Sequence, residues 1–231
     1  MIRSVMLVAI ASAAIGQAPA ARPAPPAALV AEGERWWTTS PDPSDPVACA
    51  TCHHDPSEMR GWAASFPKYR PLPPPEGRVM TLLQANAEAV RRHYGLRDPE
   101  PAATALTAYL MSRGDGMRVS PGVVEGEPVF DGRQRALAQS VARGDRLYAR
   151  RCAGCHAGPT VAAAALRFPR VVGGRAESLE RFIADHRPDL PFRWNGQPVA
   201  DLIAFMMSNL VGRPLRPASE GGPHPTPKET P

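Results

Sequence analysis

Apolar and polar positions divide the chain into an opening segment and two similar halves. Val5 to Ile15 is an apolar run of eleven residues broken only by Ser12, with Arg3 ahead of it and the small residues Gly16, Ala18 and Ala20 behind. A positive start, a short apolar stretch and small residues at the cleavage positions predict an export signal over residues 1–20. The run is too short for a spanning helix, and nothing after it resembles a membrane span. Helical patterns follow at Ala27–Trp37, Thr81–His93 and Pro101–Met111 in the first half, and at Gln139–Arg151 and Pro198–Leu210 in the second. In the last of these, Ala200, Leu202, Ile203, Phe205, Met206 and Leu210 are apolar and Pro198 stands near the start. Ser120 to Asp131 contains Gly and Pro, three acids and no base, and reads as a connector. Gly212 to Pro231 is Pro-rich with few apolar residues, a composition that predicts a disordered tail.

Composition adds one constraint. Hydrophobic residues are 43% and charged residues 21%, ordinary for a folded protein, but aromatics are only 6%. Small domains with so few large rings need help from a cofactor or metal to complete a core. Charge adds another. Residues 27–118 hold 10 Lys or Arg against 11 Asp or Glu, whereas residues 133–216 hold 14 Arg against 6 acids, a net +8. The second half therefore suits an acidic partner protein. Nucleic acid is not expected, because the arginines are scattered and no binding module is visible.

The four cysteines carry the chemistry. Cys49-Ala50-Thr51-Cys52-His53 and Cys152-Ala153-Gly154-Cys155-His156 are both C-x-x-C-H, 103 residues apart, and they use every Cys of the chain. This is the attachment signature of c-type haem. Two thiols one helical turn apart each form a thioether to one haem vinyl group, and the adjacent His supplies the proximal iron ligand. A disulfide framework leaves the spacing unexplained, a zinc site leaves the repeated His unexplained, and a thioredoxin-like site lacks its βαβ setting. Two covalent haem c groups are expected, on Cys49, Cys52 and His53 and on Cys152, Cys155 and His156. Asp55 and Glu58 read as solvated loop residues, and no catalytic residue is assigned.

The helices frame each motif in the same way. Gly144 and Tyr148 precede the second motif and Phe205 lies in the last helix; Gly33 and Trp37 precede the first and Tyr109 lies in the helix that follows it. This resembles class I cytochrome c, in which an N-terminal helix with a Gly and an aromatic crosses a C-terminal helix with an aromatic, the Gly allowing close approach. The resemblance implies an all-α fold of two tandem class I cytochrome c-like domains, each wrapped around one haem. The domains are drawn at 27–118 and 133–214, with a linker at 119–132 and a tail at 215–231.

The sixth iron ligand sets potential and reactivity. In the second half, families of this kind often carry Met-Pro where this chain has Leu190-Pro191, so the usual Met is missing. His186 is the best remaining candidate, ahead of Met206 and Met207 in the last helix, with a five-coordinate iron the alternative. In the first half His93 stands eight residues before Pro101, the usual ligand location, and Met80 is its rival; His93 also suits a helix C-terminus, where a cation is favourable.

A closer likeness covers about seventy residues of the first half. Ala48-Cys49-Ala50-Thr51-Cys52-His53-His54-Asp55, Met59-Arg60-Gly61-Trp62 and Phe66-Pro67-Lys68-Tyr69 resemble the SoxA-type diheme cytochromes, as do Leu83-Gln84-Ala85-Asn86 and Leu106-Thr107-Ala108-Tyr109-Leu110. The resemblance implies a periplasmic role in sulfur-compound oxidation and a small cytochrome partner of SoxX type. SoxA proteins use a further Cys as a haem ligand; this chain has no fifth Cys, so the thiosulfate-conjugating chemistry does not carry over. The expectation is a periplasmic diheme cytochrome passing electrons from a dehydrogenase to a downstream acceptor. The alternatives are a haem enzyme subunit acting on thiosulfate or related compounds, and a haem-based binder of small ligands.

Overall fold

The computed structural model describes residues 25–71, 77–124, 126–156 and 160–215. The predicted export signal lies outside the described residues, as does all of the predicted tail beyond Leu215. The fold is mostly helical. In chain order it comprises α1 (Pro25–Thr38), α2 (Cys49–Cys52), α3 (Pro56–Ser65), β1 (Lys68–Arg70), β2 (Arg78–Met80), α4 (Leu82–His93), α5 (Glu100–Arg113), α6 (Asp131–Arg151), α7 (Thr160–Ala165), β3 (Arg170–Val172), β4 (Arg175–Glu177), α8 (Leu179–His186) and α9 (Gln197–Ser208).

Each half is organised by one close helix crossing. In the first, α1 lies across α5: a Cβ on Gly33 would stand 2.6 Å from the carbonyl carbon of Ala105 and 2.7 Å from Cβ of Tyr109. In the second, α6 lies across α9: a Cβ on Gly144 would stand 2.6 Å from the carbonyl carbon of Asp201 and 2.9 Å from Cβ of Phe205. Only glycine permits backbones to meet at this distance. The aromatic partners predicted from the sequence meet beside each crossing, Trp37 with Tyr109 at 6.0 Å and Tyr148 with Phe205 at 5.3 Å between ring centroids. The second crossing is pinned by a buried carboxylate. Asp201 accepts from Arg143 Nε and Nη2 at 2.7 and 2.9 Å, from Ser140 Oγ at 2.6 Å and from Gln197 Nε2 at 2.8 Å. Four donors leave little of its hydrogen-bonding capacity unmet, which makes burial tolerable.

Two short antiparallel hairpins were not visible in the sequence pattern. β1 pairs with β2 in the register Lys68↔Met80, Tyr69↔Val79 and Arg70↔Arg78, and β3 pairs with β4 in the register Arg170↔Glu177, Val171↔Ala176 and Val172↔Arg175. Three-residue strands are too short to show a period of two. The second hairpin turns on Gly173 and Gly174, with φ of +57° and +80°, the pair of positive angles a two-residue turn of this hand demands.

The halves pack on each other. One continuous core runs from Trp37, Leu82, Leu106 and Leu110 to Val199, Ile203, Met206 and Leu210. The connector lies along the first half, with Ser120 and Gly122 donating to the carbonyls of Ala64 and Ser65, and α6 begins at Asp131. Leu215, where the tail was expected to start, is buried, and its amide donates to the Met117 carbonyl at 2.7 Å. Arg181 of α8 pairs with Glu100 of α5, and Gln84 Nε2 donates to the carbonyls of Trp194 and Gly196 at 3.1 Å each. No helix among the described residues is long and apolar enough to cross a membrane.

Candidate functional site

The first C-x-x-C-H motif follows a polar, Pro-containing loop. Ala48 closes that loop: its amide donates to Thr51 Oγ1 at 3.0 Å, winding Cys49–Cys52 into the single turn α2. The turn brings both thiols to one edge of a cleft. Tyr94, just past α4, fastens it: the Cys49 amide donates to Tyr94 Oη at 3.2 Å, and Tyr94 donates to the Trp36 carbonyl at 3.1 Å. Burial pushes the Cys49 thiol and the Tyr94 phenol above their ordinary pKa values. His53 packs edge-on against Trp62 at 4.9 Å and lies 6.0 Å from Trp37.

The cleft encloses about 1090 Å³, mouth included, between Trp37, Trp62, Phe66, Leu82 and Leu106. His93 lies on its rim, exposed at the last turn of α4. Met80, its rival in the sequence reading, is buried in β2 and is not among the residues lining this cleft. Lys68, Arg70 and Glu127 do line it, and none was singled out from sequence. The signal was the Lys-Tyr-Arg order of β1: residues two apart in a strand share a face, so both cations point the same way. Burial pulls the Lys68 ammonium down to about 8, with Glu127 opposing and Arg70 and Arg133 reinforcing the fall.

The second motif follows α6 directly. The Cys152 and Ala153 amides cap its end by donating to the Tyr148 carbonyl at 2.9 and 3.0 Å, and the Cys155 and His156 amides continue the turn to the Cys152 carbonyl. Tyr148 Oη donates to the His156 carbonyl and fixes the turn from outside. The cleft here is wider, about 1410 Å³ with its mouth, and is lined by Phe168, Leu179, Phe182, Phe192, Leu202 and Met206. His156 and His186 both line it, with ring centroids 5.9 Å apart, and Phe182 stacks on His186 at 5.2 Å. Met207 lies elsewhere, in a cavity between the halves.

The first cleft offers the Cys49 and Cys52 thiols, the His53 imidazole and largely apolar walls, and the second offers the Cys152 thiol, the His156 and His186 imidazoles and apolar walls, donor sets that fit covalent haem. In the second cleft His156 and His186 stand close enough for both imidazoles to reach one bound group. Among the described residues no three His, Cys, Asp or Glu side chains gather to hold a bare metal ion.

Comparison with known proteins gives a family-model match and likenesses to solved structures. Residues 32–119 match the family model described as SoxA/TsdA, cytochrome c domain. The crystal structure of SoxXA from P. pantotrophus superposes with a TM-score of 0.61 at 18% identity, covering 83% of this chain and 76% of that one. At that identity the likeness speaks for the fold. No curated protein sequence matches. Residues 32–119, with the first C-x-x-C-H motif inside them, are thus similar to the SoxA-type cytochrome c domain, and a domain of this kind implies covalently bound haem c.

Proposed function

We propose that this protein is an exported diheme cytochrome c that relays electrons in the oxidation of sulfur compounds, with one haem in each cleft. The observation that carries the two-haem reading is the recurrence of one arrangement. Each C-x-x-C-H turn sits at the mouth of an apolar cleft behind a Gly-pinned helix crossing. The sulfur-compound setting draws on the SoxA/TsdA likeness of residues 32–119.

Cys49 and Cys52 would hold the first haem and Cys152 and Cys155 the second, with His53 and His156 as proximal ligands. When bound, the haem iron cycles between ferric and ferrous states and so carries one electron at a time. The chain's own residues bind, orient and shield it. Tyr94 and Tyr148 fix the two attachment turns, and the apolar walls keep water out. Lys68 and Arg70 bring positive charge into the first cleft, where they would suit a haem's carboxylate groups. His186 would complete the hold on the second haem, a role supported by its 5.9 Å spacing from His156 and by Phe182, which holds its ring. His93, on the rim of the first cleft, would do the same for the first haem. The chain folds as tandem cytochrome units at 27–118 and 133–214, works in the periplasm, and exchanges electrons with a dehydrogenase or a small cytochrome of SoxX type, the basic second half facing an acidic partner.

A second reading has one observation in its favour. His93 is exposed on the rim, so an iron in the first cleft would have an exchangeable face, as a haem enzyme subunit or small-ligand binder requires. The test is a haem count by pyridine haemochrome on the holoprotein, followed by cyanide addition. Two haems inert to cyanide fit the relay. One haem per chain overturns the two-haem reading, and rapid cyanide binding at one haem favours the second reading.

A further inference from the structure

A third cavity, about 510 Å³ with its mouth, lies between the two clefts. Phe66 and Leu82 form walls shared with the first cleft, and Ala165, Phe168 and Leu179 form walls shared with the second. Its other lining side chains are apolar or hydroxyl-bearing, with one exception. Glu180, in the first turn of α8, is 6% exposed and lies in this cavity.

The groups facing Glu180 are few. The Thr81 hydroxyl at the start of α4 and the Ser178 hydroxyl that caps α8 hydrogen-bond it. Glu100 at the start of α5 repels it, although Arg181 holds Glu100 in a bidentate pair and also stands 3.7 Å from Asp185. Helix α9 contributes Ile203 and Met207, and the segment after α7 contributes Leu166 and Phe168. No cation is among the groups acting on Glu180. A carboxylate buried without a base is costly, and a leucine would fill the same space without that cost. Burial raises its pKa to about 7, so a modest change in the local field is enough to change its protonation state.

We propose that Glu180 is a redox-linked proton site that both haem clefts share. The inference rests on the two-haem reading given above. An electron delivered by a one-electron donor protein reduces a ferric iron to ferrous, and the Glu180 carboxylate takes one proton from solvent. On oxidation by the acceptor the iron loses the electron and the carboxyl returns the proton. Charge added to the buried interior is balanced in both directions, and reduction at one cleft eases reduction at the other.

The test is spectroelectrochemistry of the holoprotein, the electrode acting as one-electron donor, from about pH 5.5 to pH 8.5, a window spanning the raised carboxyl. The expected result is a midpoint potential that falls as pH rises through neutrality and loses at least half of that slope in Glu180→Gln. The redox-difference infrared spectrum of the unmodified protein should show a carboxyl C=O band that Glu180→Gln removes. A full slope and an intact band in the variant would overturn the proposal and leave the haem carboxylates as the proton site. Should Glu180→Gln not fold, Glu180→Asp serves: a displaced pH window supports the site and an unmoved one refutes it. A chain with a single haem would defeat the two-haem reading, and the slope at that haem would still decide for or against Glu180.

Discussion

Cys49, Cys52, Cys152 and Cys155 divide into two pairs with separate consequences. Cys152→Ser should leave a protein with one haem instead of two, read by haemochrome, because the second cleft loses a thioether while the first keeps its own anchors. Two covalent haems in that variant would sink the assignment. His186→Ala should turn one low-spin iron into a high-spin or five-coordinate one in the electron paramagnetic resonance spectrum and leave the other unchanged. An unaltered spectrum would place His186 on the surface, stacked on Phe182 for packing alone. Sequence spacing singled out His93 and His186 equally. The structure treats them differently, with His186 close to His156 in the second cleft and His93 at the edge of the first.

At the scale of elements, the helix crossings set the shape of each cleft. Gly144→Ala places a methyl group on the Asp201 backbone, so α6 and α9 must separate. The expected loss is about 2–4 kcal/mol, with a lowered thermal midpoint and weakened absorption from the second haem. Asp201→Ala should cost about 2–3 kcal/mol, because it strands the Ser140 hydroxyl and the Arg143 guanidinium that converge on it. Chemical denaturation of the holoprotein measures both, and a change below half a kcal/mol in either would show that the crossing relaxes freely. The Gly and aromatic partners of these crossings were legible in the sequence, since a Gly among helix formers needs a packing reason. Asp201 was not, because Ser140 and Arg143, which pin it, lie about sixty residues away.

At the scale of the molecule, the two halves share one core and are bridged by Arg181–Glu100 and by Gln84 with the 194–196 loop. They should therefore melt together in a single calorimetric transition; two resolved transitions would mean that the shared core contributes little. Glu180 adds a pH dependence with a definite sign. Its pKa is raised from 4.5 to about 7, so between those values the folded protein holds a proton that the unfolded chain has released. Stability therefore falls as pH rises through that window and levels off above about 7, by up to about 3 kcal/mol. Glu180→Gln should flatten this loss and be the more stable form above pH 7. Equal pH profiles for the two proteins would refute the shift.

The sequence by itself pointed to covalent haem and determined the two helix crossings, because these depend on residues close together in the chain or on a Gly that only close approach explains. Thiol spacing fixes what a C-x-x-C-H turn can hold, whatever surrounds it. Only the tertiary structure decided how the halves meet, that Lys68 and Arg70 reach the first cleft, that Met80 packs away from it, and that Glu180 is buried between the two clefts. Those outcomes depend on which distant side chains exclude water from a given point. No local pattern records that, since the same glutamate on the same helix would be a solvated charge if the first half were not packed against it.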